Sequence, residues 1–316
     1  MLKPPYFYQM QQYGKWVLFL LLSLIWGSSF ELMKIGMGGG STLTAYQVAA
    51  LRVFSAGLVF APRAIFAIKR VPVHYWPTII LSGCIGSLFP AFLFCVAETR
   101  INASLAGILN ALTPLFTIVV GISFFKYKAT LTKWAGILLG LLALILLPIL
   151  SGKSFSGGQS WYALLVVLAT LLYGINLCMV GTKLKAITSL DIVSIAFAAL
   201  LIPTGLFLYA NQFFSLLAQS IQTVQQADDT WQAALHNPIF ISVFASVLLG
   251  VVGTGLASVL FYKLVKQAGY IFASMVAYGI PLVALMIGFA THETIGLAEL
   301  VCLVIILLGV ALVNKK

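Results

Sequence analysis

Ten runs of mostly apolar residues, each ended by a polar or basic break, leave this 316-residue chain few folds to choose from. A membrane-crossing helix needs about 20 such residues. The runs are 16–36, 43–61, 78–97, 104–125, 134–150, 161–180, 192–210, 239–262, 271–290 and 297–313. Charged residues make up 8% of the chain, against about a quarter of a soluble domain, so most of its surface must face lipid. The expected fold is an all-α integral membrane protein of ten transmembrane helices. Cys84, Cys95, Cys178 and Cys302 lie inside apolar runs without metal-ligand spacing, so neither a disulfide framework nor a zinc site is expected.

The formal charge of +11 does not point to nucleic acid, because the bases fall in ones, twos and threes between apolar runs and form no stripe. They read instead as topology determinants. With the N-terminus inside, 14 of the 18 Lys and Arg face the cytoplasm, Lys34, Arg100 and Lys153 face outward, and Arg52 falls within a span. Both termini are therefore expected in the cytoplasm. The connection over 209–238 differs from the others: it lacks Lys and Arg and carries Asp228, Asp229 and six glutamines. Phe213, Leu217, Ile221 and Val224 recur there at helical spacing, which suits a segment lying flat on the outer surface, as an interfacial spacer or a lid.

The halves 1–150 and 151–316 repeat. Ser23, Gly27 and Glu31 match Thr170, Gly174 and Cys178 at an offset of 147, and Gly107 and Pro114 match Ser274 and Pro281 at an offset of 167. Five spans per repeat is an odd number, so the second copy is expected upside down in the bilayer. Inverted repeats with a binding site near the midplane recur among secondary transporters.

Four fragments make the chain resemble the EamA-type drug/metabolite transporters: Trp26-Gly27-Ser28-Ser29-Phe30, Arg52, Ala103 to Phe116, and Leu256 to Glu293 with Ile280-Pro281. The resemblance implies small-molecule transport, mostly export, across the bacterial inner membrane, along a central path between two five-helix repeats. The family usually carries a Glu after spans 4 and 9. Glu293 fits the second place, Lys126-Tyr127-Lys128 stands at the first, and Glu31 is an unusual charge in span 1.

Ionisable groups inside spans cost about 3 kcal/mol each to insert and mark functional positions. Arg52 lies ~13 Å along span 2 by helical rise; it is either a scaffold cation or an anchor for a substrate carboxylate. Glu31 shares a face with Ser23, Gly27 and Lys34. It either pairs with Lys34 or Arg52, or meets a substrate ammonium or a coupling proton. Gly107, Asn110 and Pro114 share a face in span 4, as Ser274, Tyr278 and Pro281 do in span 9. A proline there frees a carbonyl, which is tolerated at depth beside protein or water, so these faces are expected on a cavity, with close packing as the alternative. Trp26, Tyr173 and Asn176 complete the candidate path. The expected partners are a small polar or amphiphilic solute, amino acids first, and the lipid bilayer; drug-like or lipid-linked cargo and a non-transporting scaffold are the alternatives. No cofactor is expected. His292-Glu293 lacks the second His of a zincin, and Gly38-Gly39-Gly40 lacks the Lys and Ser/Thr of a phosphate loop, so no enzyme chemistry is read.

Overall fold

The computed structural model describes residues 5–38, 42–127, 130–150, 159–227, 230–292 and 296–314. Glu293, Lys128, Lys153, Asp228 and Asp229, named above, lie outside them. Among the described residues every regular element is helical. In chain order these are α1 (Pro5–Met37), α2 (Ala45–Arg70), α3 (Trp76–Gly83), α4 (Phe89–Ala97), α5 (Ala103–Asn110), α6 (Thr113–Phe125), α7 (Leu131–Leu150) and α8 (Gln159–Thr182). The second half follows with α9 (Ser189–Ala210), α10 (Phe213–Gln225), α11 (Thr230–His236), α12 (Pro238–Leu248), α13 (Ala257–Ala268), α14 (Tyr270–Ser274), α15 (Val276–Ala290) and α16 (Leu297–Asn314).

Eight segments among the described residues are long and apolar enough to cross a membrane, and α7 and α16 stand at the other two expected places. Their outward faces carry Val17, Leu20, Leu58, Ile202, Phe244 and Met286, all exposed. In water such a surface would be costly; in hydrocarbon it is the solvated one. The chain enters its helices through side-chain caps that occupy orphan backbone donors: Thr44 with Gln47 in a reciprocal box before α2, Asn102 before α5, Thr188 before α9 and Asn237 before α12.

Four of the crossings are not plain α-helices. A π-helical turn at Cys84–Leu88 joins α3 to α4, and a longer one at Leu249–Leu256 joins α12 to α13. Such turns widen the helix and often mark functional positions. The fourth crossing breaks between α5 and α6 at Ala111–Leu112, with Pro114 in the first turn of α6, where its fixed φ suits a helix start. The ninth breaks at Met275, and its Pro281 lies inside α15.

Helices meet in matched pairs. α1 packs on α15 as α8 packs on α6; α13 packs on α1 as α4 packs on α8; α2 packs on α12 as α9 packs on α3. Small residues permit the close crossings. A Cβ built on Gly27 would stand 2.5 Å from Val283, and one on Gly174 would stand 2.9 Å from the Thr117 backbone nitrogen. The Ser23–Gly27 face of α1 is thus a packing face. The same holds for the Gly136-x-x-x-Gly140 step, where a Cβ on Gly309 of α16 would stand 2.7 Å from the Gly136 carbonyl oxygen.

The tightly apposed α2 and α9 are clamped at both ends. Arg63 Nη2 meets Asp191 Oδ1 at 3.2 Å, and Gln47 Nε2 donates to the Asn211 carbonyl at 3.0 Å. Asp191 and Gln47 hold equivalent places, three residues after the capping threonines Thr188 and Thr44. The connection after α9 folds into α10 and α11. Phe213 and Val224 turn inward as the spacing indicates, while Ile221 is 40% exposed.

Candidate functional site

A cavity of about 90 Å³ lies among α1, α2, α8, α13 and the two interrupted crossings. Its walls come in pairs at the two offsets already visible in the sequence. Trp26, Ser29 and Phe30 of α1 face it, and so do Tyr173, Asn176 and Leu177 of α8, each 147 residues later. Gly86, Ser87 and Phe94 face it, and so do Gly253, Thr254 and Phe261, each 167 later. Asn110 and Thr113 face it, and so do Ala277 and Ile280, again 167 later.

The pairing extends to contacts. Trp26 and Phe261 meet edge-on at 4.7 Å between ring centroids, and Tyr173 and Phe94 stack at 6.1 Å. Each couple joins one half of the chain to the other. The glycine of each π-helical turn receives a polar side chain from the opposite half. Asn176 lies so close over Gly86 that no Cβ fits, and a Cβ on Gly253 would stand 3.0 Å from Ser29 Oγ. Trp26 Nε1 also donates to the Gly253 carbonyl at 2.8 Å, a group that the widened turn makes available.

Two polar poles break the likeness. At one, Arg52 is 8% exposed; its Nε donates to Thr254 Oγ1 at 3.0 Å and its Nη1 to Met33 Sδ at 3.4 Å. The position 147 residues on is Ala199, so the cation has no counterpart. At the other pole, Ser82 Oγ donates to Asn176 Oδ1 at 2.6 Å and Asn176 Nδ2 donates to Tyr262 Oη at 3.0 Å, with Tyr262 Oη 3.3 Å from Ser82 Oγ. The serine proton goes to the amide, so the phenol donates in the third contact and the three groups close a ring.

Of the ten candidate residues, the structure brings Trp26, Arg52, Asn110, Tyr173, Asn176 and Ser274 to this cavity. Glu31, Pro114, Tyr278 and Pro281 do not line it. The expected Arg52–Glu31 pair is not formed: Arg52 holds Thr254 and Met33, and Glu31 lines a separate shallow cleft with Lys34, Thr42 and Ser242. Helical geometry explains this, since Trp26, Ser29, Phe30 and Met33 form the inward stripe and Glu31, two residues from Ser29 and Met33, points away. Tyr278 misses for a similar reason, because Ala277 is the true match of Asn110. Pro281 packs toward Gly107, 3.7 Å from a Cβ built there. Reasoning from sequence missed Thr254, Ser82, Tyr262 and the couple partners Phe94 and Phe261. Applying the 167-residue offset to Gly86-Ser87 and Gly253-Thr254 would have found the turns and the phenylalanines.

A polytopic helical bundle whose interrupted crossings surround a mixed aromatic and cationic cavity has the architecture of a small-molecule membrane transporter. The pattern of the EamA-like transporter family matches residues 14–148 and again residues 160–315, and the chain belongs to that family. It is similar to the uncharacterized transporter YdfC of Bacillus subtilis (26% identity over 149 residues, 47% of this chain and 46% of the relative). It is equally similar to an uncharacterized transporter of Archaeoglobus fulgidus (26% over 174 residues, 55% of each). The chain thus aligns with about half the length of these curated relatives. A solved crystal structure shares the fold with a TM-score of 0.60 at 14% identity, over 95% of this chain and 96% of the other. The protein is a multi-pass membrane protein of that family.

Proposed function

We propose that the chain is a secondary transporter that exports small polar or amphiphilic metabolites from the bacterial cytoplasm by alternating access. The central cavity holds the cargo, and Arg52 takes its carboxylate. Amino acids are the first class to test. The observation that carries this reading is a buried guanidinium on the cavity wall whose described hydrogen-bond partners are a hydroxyl, a thioether and the Cys95 thiol, with no carboxylate among them. A carboxylate in a low-dielectric site supplies that charge in bidentate geometry.

Alternating access follows from two five-helix repeats, 1–150 and 151–316, lying inverted in the inner membrane with both termini cytoplasmic. The support is the matched pairing of cavity walls, aromatic couples and helix contacts at constant offsets. An inverted pair has two equivalent closed forms, each opening the cavity to one side. A coupling proton supplies the drive. The two aromatic couples favour one second reading, a flat drug-like cargo, with Arg52 then a scaffold cation.

Counterflow in proteoliposomes with labelled amino acids and aromatic drugs, with and without an imposed pH gradient, tests these readings. The expected result is Arg52-dependent exchange of carboxylates that a pH gradient accelerates. Asn110→Leu is expected to lower flux while membrane levels of the protein stay normal. Inactivity toward every solute in both conditions would leave the scaffold alternative standing.

A further inference from the structure

We infer that the cavity favours organic anions: monocarboxylates with an apolar body and no ammonium group beside the carboxylate. This rests on the transport reading above, keeps its Arg52–carboxylate contact and ranks amino acids below simple carboxylates.

The charge at the site is one-sided. Arg52 has five N–H groups; Thr254 and Met33 take one each and the Cys95 sulfur is a third partner, which leaves two for a ligand. Thr254 in turn passes its hydroxyl proton to the Leu249 carbonyl at 3.1 Å, so its oxygen serves the arginine as an acceptor. None of the described residues on the wall is Asp or Glu. Glu31 lines the separate cleft, and Glu98, the buried acid at the end of α4, is not on the wall but acts from behind it on Cys95, beside Arg52.

The backbone adds the same sign. The two interrupted crossings restart beside the cavity, α6 at Thr113 and α15 at Val276, and Thr113 and Ala277 stand on its wall. A helix N-terminus carries roughly half a positive charge. Interrupted membrane helices present such ends to anionic groups of their cargo. Here they reinforce a buried arginine that already needs an anion.

The opposite pole offers no negative charge either. In the Ser82–Asn176–Tyr262 ring each hydroxyl proton is spent inside the ring, and one N–H of the Asn176 amide remains for the cavity. That pole suits a carbonyl or hydroxyl oxygen of the cargo. An ammonium entering this space loses its water and meets the like charge of Arg52, with aromatic faces and neutral oxygens but no carboxylate on the wall to offset both costs. A zwitterion therefore gives back at its ammonium much of what its carboxylate gains at Arg52.

Three ligands with one aromatic body separate the possibilities: 3-phenylpropionate, phenylalanine and phenethylamine, measured by isothermal titration with the full chain in detergent. The expected order is 3-phenylpropionate tightest, phenylalanine about tenfold weaker and phenethylamine weakest, tenfold being about 1.4 kcal/mol. Arg52→Gln is expected to remove that order and Arg52→Lys to keep part of it; the ranking in the unmodified protein stands even if the Gln variant fails to fold. Phenylalanine binding as tightly as 3-phenylpropionate, or better, overturns the inference and leaves the transport reading intact. No binding of any of the three by protein active in counterflow on another solute overturns it too, whereas no flux for any solute removes the transport reading with it.

Discussion

At Gly86 a single methyl group would collide with the Asn176 amide, and through it with Ser82 and Tyr262. One hydrogen atom at that position thus permits a ring that joins α3, α8 and α13 at the cavity floor. Overpacking a filled interior costs about 1–3 kcal/mol. Gly86→Ala is therefore expected to lower the melting temperature in detergent and to reduce flux. Gly14→Ala, where a Cβ meets nothing within 4 Å, is expected to leave both unchanged or to raise stability slightly through helix propensity. Equal melting of the two variants would remove the ring from the structural account. The glycine was legible in the sequence, but its purpose was not, since the amide that covers it comes from 90 residues away.

At the scale of single elements, the two proline-bearing crossings solve one problem differently. Pro114 leaves the Asn110 carbonyl without its helical donor, and the Thr113 hydroxyl supplies one at 2.8 Å. Pro281 does the same to the Ala277 carbonyl, but Ile280 holds the place of Thr113 and has no hydroxyl to give. A buried carbonyl stripped of its donor costs about 1–3 kcal/mol. Thr113→Val, nearly equal in volume, is accordingly expected to destabilise the protein by about that much in thermal unfolding. Ile280→Thr at the matching place is expected to stabilise it or change nothing. A neutral Thr113→Val would mean that the Asn110 carbonyl has another donor. The proline positions were readable from sequence; which carbonyl is rescued depends on a side chain three residues along a helix that first had to break.

For the molecule as a whole, the expected topology follows from the basic residues and is open to direct labelling. Single cysteines near Lys69 and Lys185 are expected to react only from the cytoplasmic side, and one at Gln222 of α10 only from outside. Reaction of Gln222 from the same side as Lys69 would remove the inverted arrangement. The α2–α9 clamps give the two faces different chemistry, since one is an ion pair and the other an amide–carbonyl bond. Salt is expected to loosen only the first.

The sequence by itself determined that the chain is a helical membrane protein and gave the two offsets at which its cavity walls pair. Apolar runs of membrane length, basic loops and a repeated Gly and Pro pattern are local signals, written along a single strand of residues. It also named six of the residues that reach the cavity, because a polar group inside an apolar run is conspicuous wherever it points. Tertiary structure alone decided which face of each helix turns inward. Glu31 was as conspicuous as Arg52, yet lies on the wrong side of α1, and the expected pair between them depended on a rotation that no run of apolar residues fixes. The Ser82–Asn176–Tyr262 ring and the Arg52–Thr254 contact join residues 86 to 202 positions apart. Such partners carry no mark of one another in sequence, because packing the two halves together is what brings them within hydrogen-bond range.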